Sequence, residues 1–121
     1  MAPSVLIVDD SPVSRKLLLR ALPAGWAGEV RQAGNGRAAL SAYRDARPDV
    51  MFIDLTMPEM DGYELLQALH DEPALPPIFV LSADIQPKAE QRVLALRARA
   101  FIKKPVAAPD LAELLRAHGV L

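Results

Sequence analysis

The feature that most restricts how this 121-residue chain can fold is a set of short apolar runs, each ending at a polar or charged group. Val5-Leu6-Ile7-Val8 stops at Asp9-Asp10, Val50-Met51-Phe52-Ile53 at Asp54, and Ile78-Phe79-Val80-Leu81 at Ser82-Ala83. A shorter run, Ala100-Phe101-Ile102, stops at Lys103-Lys104-Pro105. Such runs lack the alternation of a half-exposed strand, and their length suits strands covered on both faces. Glu29 to Ala33 adds a more polar strand whose Glu29 and Arg31 suit a sheet edge. Helically spaced stretches separate the runs, which implies parallel strands joined by right-handed crossovers. The expected class is therefore α/β, one doubly wound five-stranded parallel sheet with five helices.

The helices carry their own signals. Ser11-Pro12 opens the first, with serine as cap and proline in the first turn, and Val13, Leu17, Leu18, Ala21 and Leu22 form the expected inward stripe. Gly34-Asn35-Gly36 leads into a second helix from about Arg37 to Ala46, with Ala39, Leu40 and Tyr43 available for packing. Met57-Pro58 forces an extended turn before a third helix, where Asp61 can cap, Glu64 can reach back, and Leu65, Leu66 and Leu69 give the buried face. A fourth helix is expected from Pro87 to Arg97 and a fifth from Asp110 to His118, with Leu111, Leu114 and Leu115 inward. Trp26 reads as a partly buried anchor of the Pro23–Gly28 loop, and His70 as a solvated or capping histidine.

Gly34-Asn35-Gly36-Arg37-Ala38-Ala39 imitates a dinucleotide-binding fingerprint, with Asp54 at the spacing of the ribose-binding acid. The preceding strand is edge-like rather than central, and a single domain of this size lacks the second half that such binders use, so the reading is rejected. A formal net charge of −1 gives no reason to expect nucleic acid or an anionic membrane as partner. Absence of cysteine removes disulfides, thiolate zinc sites and cysteine nucleophiles, and suits a reducing cytosol. No apolar stretch approaches a membrane span. A single cytoplasmic domain over residues 1–121 is expected.

In register, the strands would deliver Asp9, Asp10, Asp54, Ser82 and one of Lys103 and Lys104 to the same rim, where open parallel sheets collect their chemistry. Carboxylates without histidine or thiol suit a hard cation, Mg²⁺, over zinc or copper. Three carboxylates, one divalent ion and one ammonium also sum to neutrality. An aspartate beside such an ion can act as nucleophile toward a phosphoryl group, with ammonium and hydroxyl taking up charge on its oxygens. A cluster that served only to order the strands would bear the desolvation of several charges without return.

The motifs Val8-Asp9-Asp10-Ser11, Asp54-x-x-Met57-Pro58-x-Met60-Asp61-Gly62, Leu81-Ser82-Ala83 and Lys104-Pro105 together resemble the receiver domains of two-component response regulators, the family of the chemotaxis regulator. The likeness runs from Val5 to about Leu115. It implies the flavodoxin-like strand order 2-1-3-4-5. It also implies that Asp54 accepts phosphate from a sensor histidine kinase or phosphotransfer protein, and that Asp10 and the Thr56 carbonyl ligate Mg²⁺ while Asp9 holds metal-bound water. Ser82 corresponds to the switch hydroxyl, Lys104 to the phosphate-pairing lysine, Phe101 to the switch aromatic, and Thr56 and Asp84 to the positions that tune hydrolysis. Output to a downstream protein would pass through the fourth helix, fifth strand and fifth helix, without direct contact to nucleic acid or membrane. One departure is Arg97, where the family usually ends its fourth helix with glycine.

Two rival readings differ in class. A haloacid-dehalogenase-type phosphatase also uses a strand-end aspartate with Mg²⁺, but wants a second aspartate two residues later, where this chain has Thr56. A phosphorylation-independent interaction module would not need the full set of site residues that is present here. Between Gln86 and Lys104, the basic residues Lys88, Arg92, Arg97, Arg99, Lys103 and Lys104 face the single acid Glu90, a pattern read as a solvated face rather than a site for an acidic partner.

Overall fold

Each apolar run becomes a strand of one parallel sheet in the computed structural model, which describes residues 2–55, 57, 60–83 and 87–121. In chain order the elements are β1 (Val5–Val8), α1 (Pro12–Ala21), β2 (Val30–Ala33), α2 (Gly36–Asp45) and β3 (Val50–Asp54). They continue with α3 (Gly62–Leu69), β4 (Ile78–Ser82), α4 (Pro87–Ala95), β5 (Ala100–Lys103) and α5 (Ala108–Ala117). The strand order is β2-β1-β3-β4-β5, so the polar β2 lies at an edge as expected. Register pairs Val8 with Ile53, Asp54 with Leu81, and Ser82 with Lys103. The residues that end the strands thus share one rim.

Alternation along the strands divides the core into two layers. Leu6, Val8, Met51, Ile53, Ile78 and Val80 meet Ala39, Tyr43, Leu65, Leu66, Leu69 and Val93 from α2, α3 and α4. Val5, Ile7, Phe52, Phe79 and Leu81 meet Leu18, Ala21, Leu111 and Leu115 from α1 and α5. Trp26 anchors its loop to this second layer, edge-on to Phe52 at 6.5 Å, with its indole N–H donating to the Val120 carbonyl at 2.6 Å.

The local start signals operate as read. Ser11 Oγ accepts from the Ser14 amide at 3.1 Å. Asp61 and Glu64 form the reciprocal capping box at α3. The Gly34 to Ala39 stretch follows an edge strand, and a Cβ on Gly36 would lie 2.3 Å from the Met60 carbonyl oxygen, so this chain's own β3–α3 loop packs against that turn. That glycine serves a close approach of the chain to its own backbone.

The stripe of α1 is a correction. Leu18 and Ala21 are buried, but Val13 and Leu17 are 68% and 56% exposed. At 3.6 residues per turn the five apolar positions span about 180° of the helix. The sheet and α5 cover only the part centred on Leu18 and Ala21.

Helix α4 ends at Ala95, two residues before the expected limit at Arg97. The Ala98 amide donates to the Val93 carbonyl and the Arg97 amide to the Leu94 carbonyl, each at 3.1 Å, the bond pair of a Schellman cap. Arg97 therefore takes the left-handed position at φ 74°, which glycine occupies at no steric cost. Its guanidinium offsets part of the strain by donating to the His70 carbonyl at 2.5 Å and the Glu72 carbonyl at 3.3 Å, past the end of α3. Both Arg97→Gly and Arg97→Ala lose those contacts, and only alanine keeps the left-handed cost. Urea midpoints should therefore show the glycine variant more stable than the alanine variant by about 1 kcal/mol.

Candidate functional site

The ends of β1, β3 and β4 deliver Asp9, Asp54 and Ser82, which are 5%, 8% and 3% exposed. Asp10 follows Asp9 and faces solvent. Carboxylate oxygens of Asp9, Asp10 and Asp54 lie within 4.8 Å of one another. Lys104 enters from beyond β5, its amide donating to the Ser82 carbonyl at 2.9 Å. Its ammonium donates to Asp9 Oδ2 at 2.7 Å and Ser14 Oγ at 2.9 Å, and pairs with the Asp54 carboxylate at 2.9 Å from Oδ1. Lys103 is exposed on the other side of the strand, so only the second lysine of the pair reaches the acids.

Asp9 is further fixed by its surroundings. The Ser11 amide donates to Asp9 Oδ1 at 2.9 Å, and Arg15 donates from Nη1 to the Asp9 carbonyl while its Nε holds Gln32 Oε1 at 2.8 Å. Neither Ser14 nor Arg15 is marked by the strand-end pattern. The available signal was helical: three and four residues after the Ser11 cap, both sit on the first turn of α1 beside the rim.

The two buried carboxylates share one cation unequally. Burial pushes the Asp9 carboxyl up, but the bonds from Lys104, Ser14 and the Ser11 amide together bring it below its ordinary value. Burial also pushes Asp54 up. There Lys104 offsets only part, and the charges of Asp9 and Asp10 add to the rise, so Asp54 stays above its ordinary value. For Lys104 burial acts downward, and the two carboxylates outweigh it to hold the ammonium charged.

Ser82 is at the rim as expected, buried at the end of β4. Phe101 is not at the acids: it is half-buried on β5, opposite Val80, and packs on the layer of α2, α3 and α4. Thr56 and Asp84 lie outside the described residues. Beside Lys104 and Ser14 a cavity of about 370 Å³ runs between α1 and the chain after β5, with Ile7, Leu18, Phe52, Leu81 and Val106 among its walls. The donor set of three clustered carboxylates, without histidine or thiol, fits a hard divalent cation. Among the described residues no helix is long and apolar enough to cross a membrane.

Residues 5–116 match the family model of the response regulator receiver domain. The chemotaxis protein CheY of Bacillus subtilis is 33% identical over 115 residues, covering 95% of this chain and 96% of that protein. The solved structure of the chemotaxis response regulator CheY4 of Vibrio cholerae superposes with a TM-score of 0.86 at 32% identity, covering 100% of both chains. A CheX–CheY complex with BeF3 and Mg²⁺ from Borrelia burgdorferi matches with a TM-score of 0.86 at 25% identity, covering 95% of this chain and 88% of that one. Other curated relatives are longer; the chain spans 48% of one and 32% of another.

The electrostatics predict opposite signs for two substitutions. The depressed Asp9 carboxyl adds stability above its ordinary 3.8 that is lost as pH falls through the folded value. The raised Lys104 adds stability that is present below its ordinary 10.5 and lost as pH rises through its higher folded value. Lys104→Met, which leaves two buried carboxylates unpaired, should therefore cost about 2 to 4 kcal/mol at neutral pH without metal. Asp54 acts the other way, because ionising a carboxyl raised by burial costs stability above its folded value. Asp54→Asn should raise the neutral midpoint in urea, and the gain should vanish as pH is lowered toward 3.8.

Proposed function

Because the chain belongs to the response regulator receiver family, we propose that Asp54 is its phosphoryl acceptor and that the rim described above is the phosphorylation pocket. One observation carries the assignment: Asp54 is buried at a strand end with the Lys104 ammonium 2.9 Å from Oδ1 and two further carboxylates beside it. A carboxylate in that position can attack the phosphorus of a phosphohistidine on a sensor kinase or phosphotransfer protein. The new bond joins Asp54 to phosphorus, the bond from phosphorus to the imidazole nitrogen breaks, and the electron pair leaves on the donor's ring.

Lys104 and the Ser82 hydroxyl then face the phosphoryl oxygens and take up their charge. Asp9, Asp10, Asp54 and the Thr56 carbonyl would hold Mg²⁺, which supplies charge neutralisation on the transferring group. The solved Borrelia complex, which contains Mg²⁺, supports that ion for a pocket of this kind.

Relocation of Ser82 toward the phosphoryl group, with Phe101 following inward, makes the pocket a switch rather than a turnover enzyme. The proposed output face comprises α4, β5 and α5, toward a downstream protein. Part of its positive charge is already engaged, since the Arg92 guanidinium lies 3.8 Å from the centre of the Tyr63 ring.

Incubation with Mg²⁺ and a small phosphodonor should raise the intact mass of the wild type by one phosphoryl group, and leave Asp54→Asn unchanged. An unmodified wild type, or modification that persists in Asp54→Asn, would overturn the assignment. Asp84 is proposed to act on the attacking water during hydrolysis, so Asp84→Ala should change the phosphoryl lifetime measured by decay of the same mass shift.

A further inference from the structure

Three oxygens surround the Lys104 ammonium: Asp9 Oδ2 accepts a hydrogen bond at 2.7 Å, Asp54 Oδ1 forms an ion pair at 2.9 Å, and Ser14 Oγ accepts a hydrogen bond at 2.9 Å. The two carboxylates are the groups that change when the pocket works. Asp54 would give up charge to an acyl phosphate and Asp9 would turn toward metal-bound water. Ser14 alone is neutral and takes no part in either change. It is also fixed in place, because its amide is tied to the Ser11 cap at 3.1 Å on the first turn of α1.

From this geometry we infer that Ser14 is a positioning residue, which keeps the Lys104 ammonium aimed at the acceptor while its carboxylate partners are engaged elsewhere. The inference rests on Asp54 being the phosphoryl acceptor. The surroundings make Ser14 hard to replace. Besides Asp9, Asp54 and Ser14 itself, the neighbouring cavity is walled by apolar residues such as Leu17, Leu18, Phe52 and Val106, whose side chains offer no other hydrogen-bond acceptor. The four-carbon stem of a lysine is flexible, and with the serine oxygen removed it can swing toward solvent. A larger apolar residue at position 14 would meet the ammonium with a methyl group and force the same departure.

The test compares Ser14→Ala and Ser14→Thr with the wild type in phosphorylation by a small phosphodonor and Mg²⁺, and repeats the alanine change in a Lys104→Ala background. Ser14→Ala should slow phosphorylation about three- to tenfold, the loss of one hydrogen bond to a charged group. Ser14→Thr should stay near the wild-type rate, and Ser14→Ala should add nothing once Lys104 is gone. In metal-free protein the lysine ammonium NMR signal that disappears in Lys104→Arg should exchange with water faster in Ser14→Ala.

An equal slowing with and without Lys104 would mark a structural role and overturn the inference. So would unchanged exchange and rate in Ser14→Ala while the wild type is phosphorylated normally; either result leaves the Asp54 assignment intact. A wild type that takes up no phosphoryl group would end both.

Discussion

The rim depends on one ammonium shared by two buried carboxylates. Taking Asp9 and Asp54 out of water costs several kcal/mol per ion in real proteins, and an isolated pair of like charges would not remain ionised there. Lys104 makes the arrangement tenable, and it does so unevenly. Asp9 has the backbone amide of Ser11 as well as the lysine, whereas Asp54 has the lysine and the repulsion of its neighbours. The uneven sharing leaves Asp9 the better-compensated anion and Asp54 the one with repulsion still to be relieved.

Holding this cluster together is a matter of backbone, since the groups arise from separate crossovers. The sheet register sets their level, and two glycines let the loops close over it. A Cβ on Gly62 would lie 2.6 Å from the Asp54 carbonyl oxygen, and one on Gly36 would run into Met60. The turn after β3 therefore packs directly on the strand that bears Asp54, and the α2 start packs on that turn. Position at the rim is set by rigid contacts one layer below the side chains that act there.

Two single polar side chains tie separate helices together. Arg97 accepts a left-handed backbone and returns some of the cost by capping carbonyls past the end of α3, which joins the α4–β5 turn to the α3–β4 turn. Ser14 brings a hydroxyl to the lysine from α1. The first lies on the α3–α4 flank of the sheet and the second at the rim, so the structure couples different helices at its two ends through single polar side chains.

The sequence by itself determined the class, the strands and most helix starts, because those are governed by contacts within a few residues: apolar runs, the Ser11 and Asp61 caps, the polar edge of β2. It also named the residue types at the rim, since every strand of a parallel sheet ends on the same side. Tertiary structure decided the rest. The residues alone did not choose between Lys103 and Lys104, and the likeness to receivers did; the fold agrees because strand alternation turns Lys103 outward and the chain beyond β5 brings Lys104 back. Ser14 meets Lys104 across 90 positions, and Asp9 meets it across 95, distances over which no local pattern carries information. The same holds for Val13 and Leu17, apolar in sequence yet exposed, because burial depends on what the neighbouring elements cover and not on a helix's own periodicity.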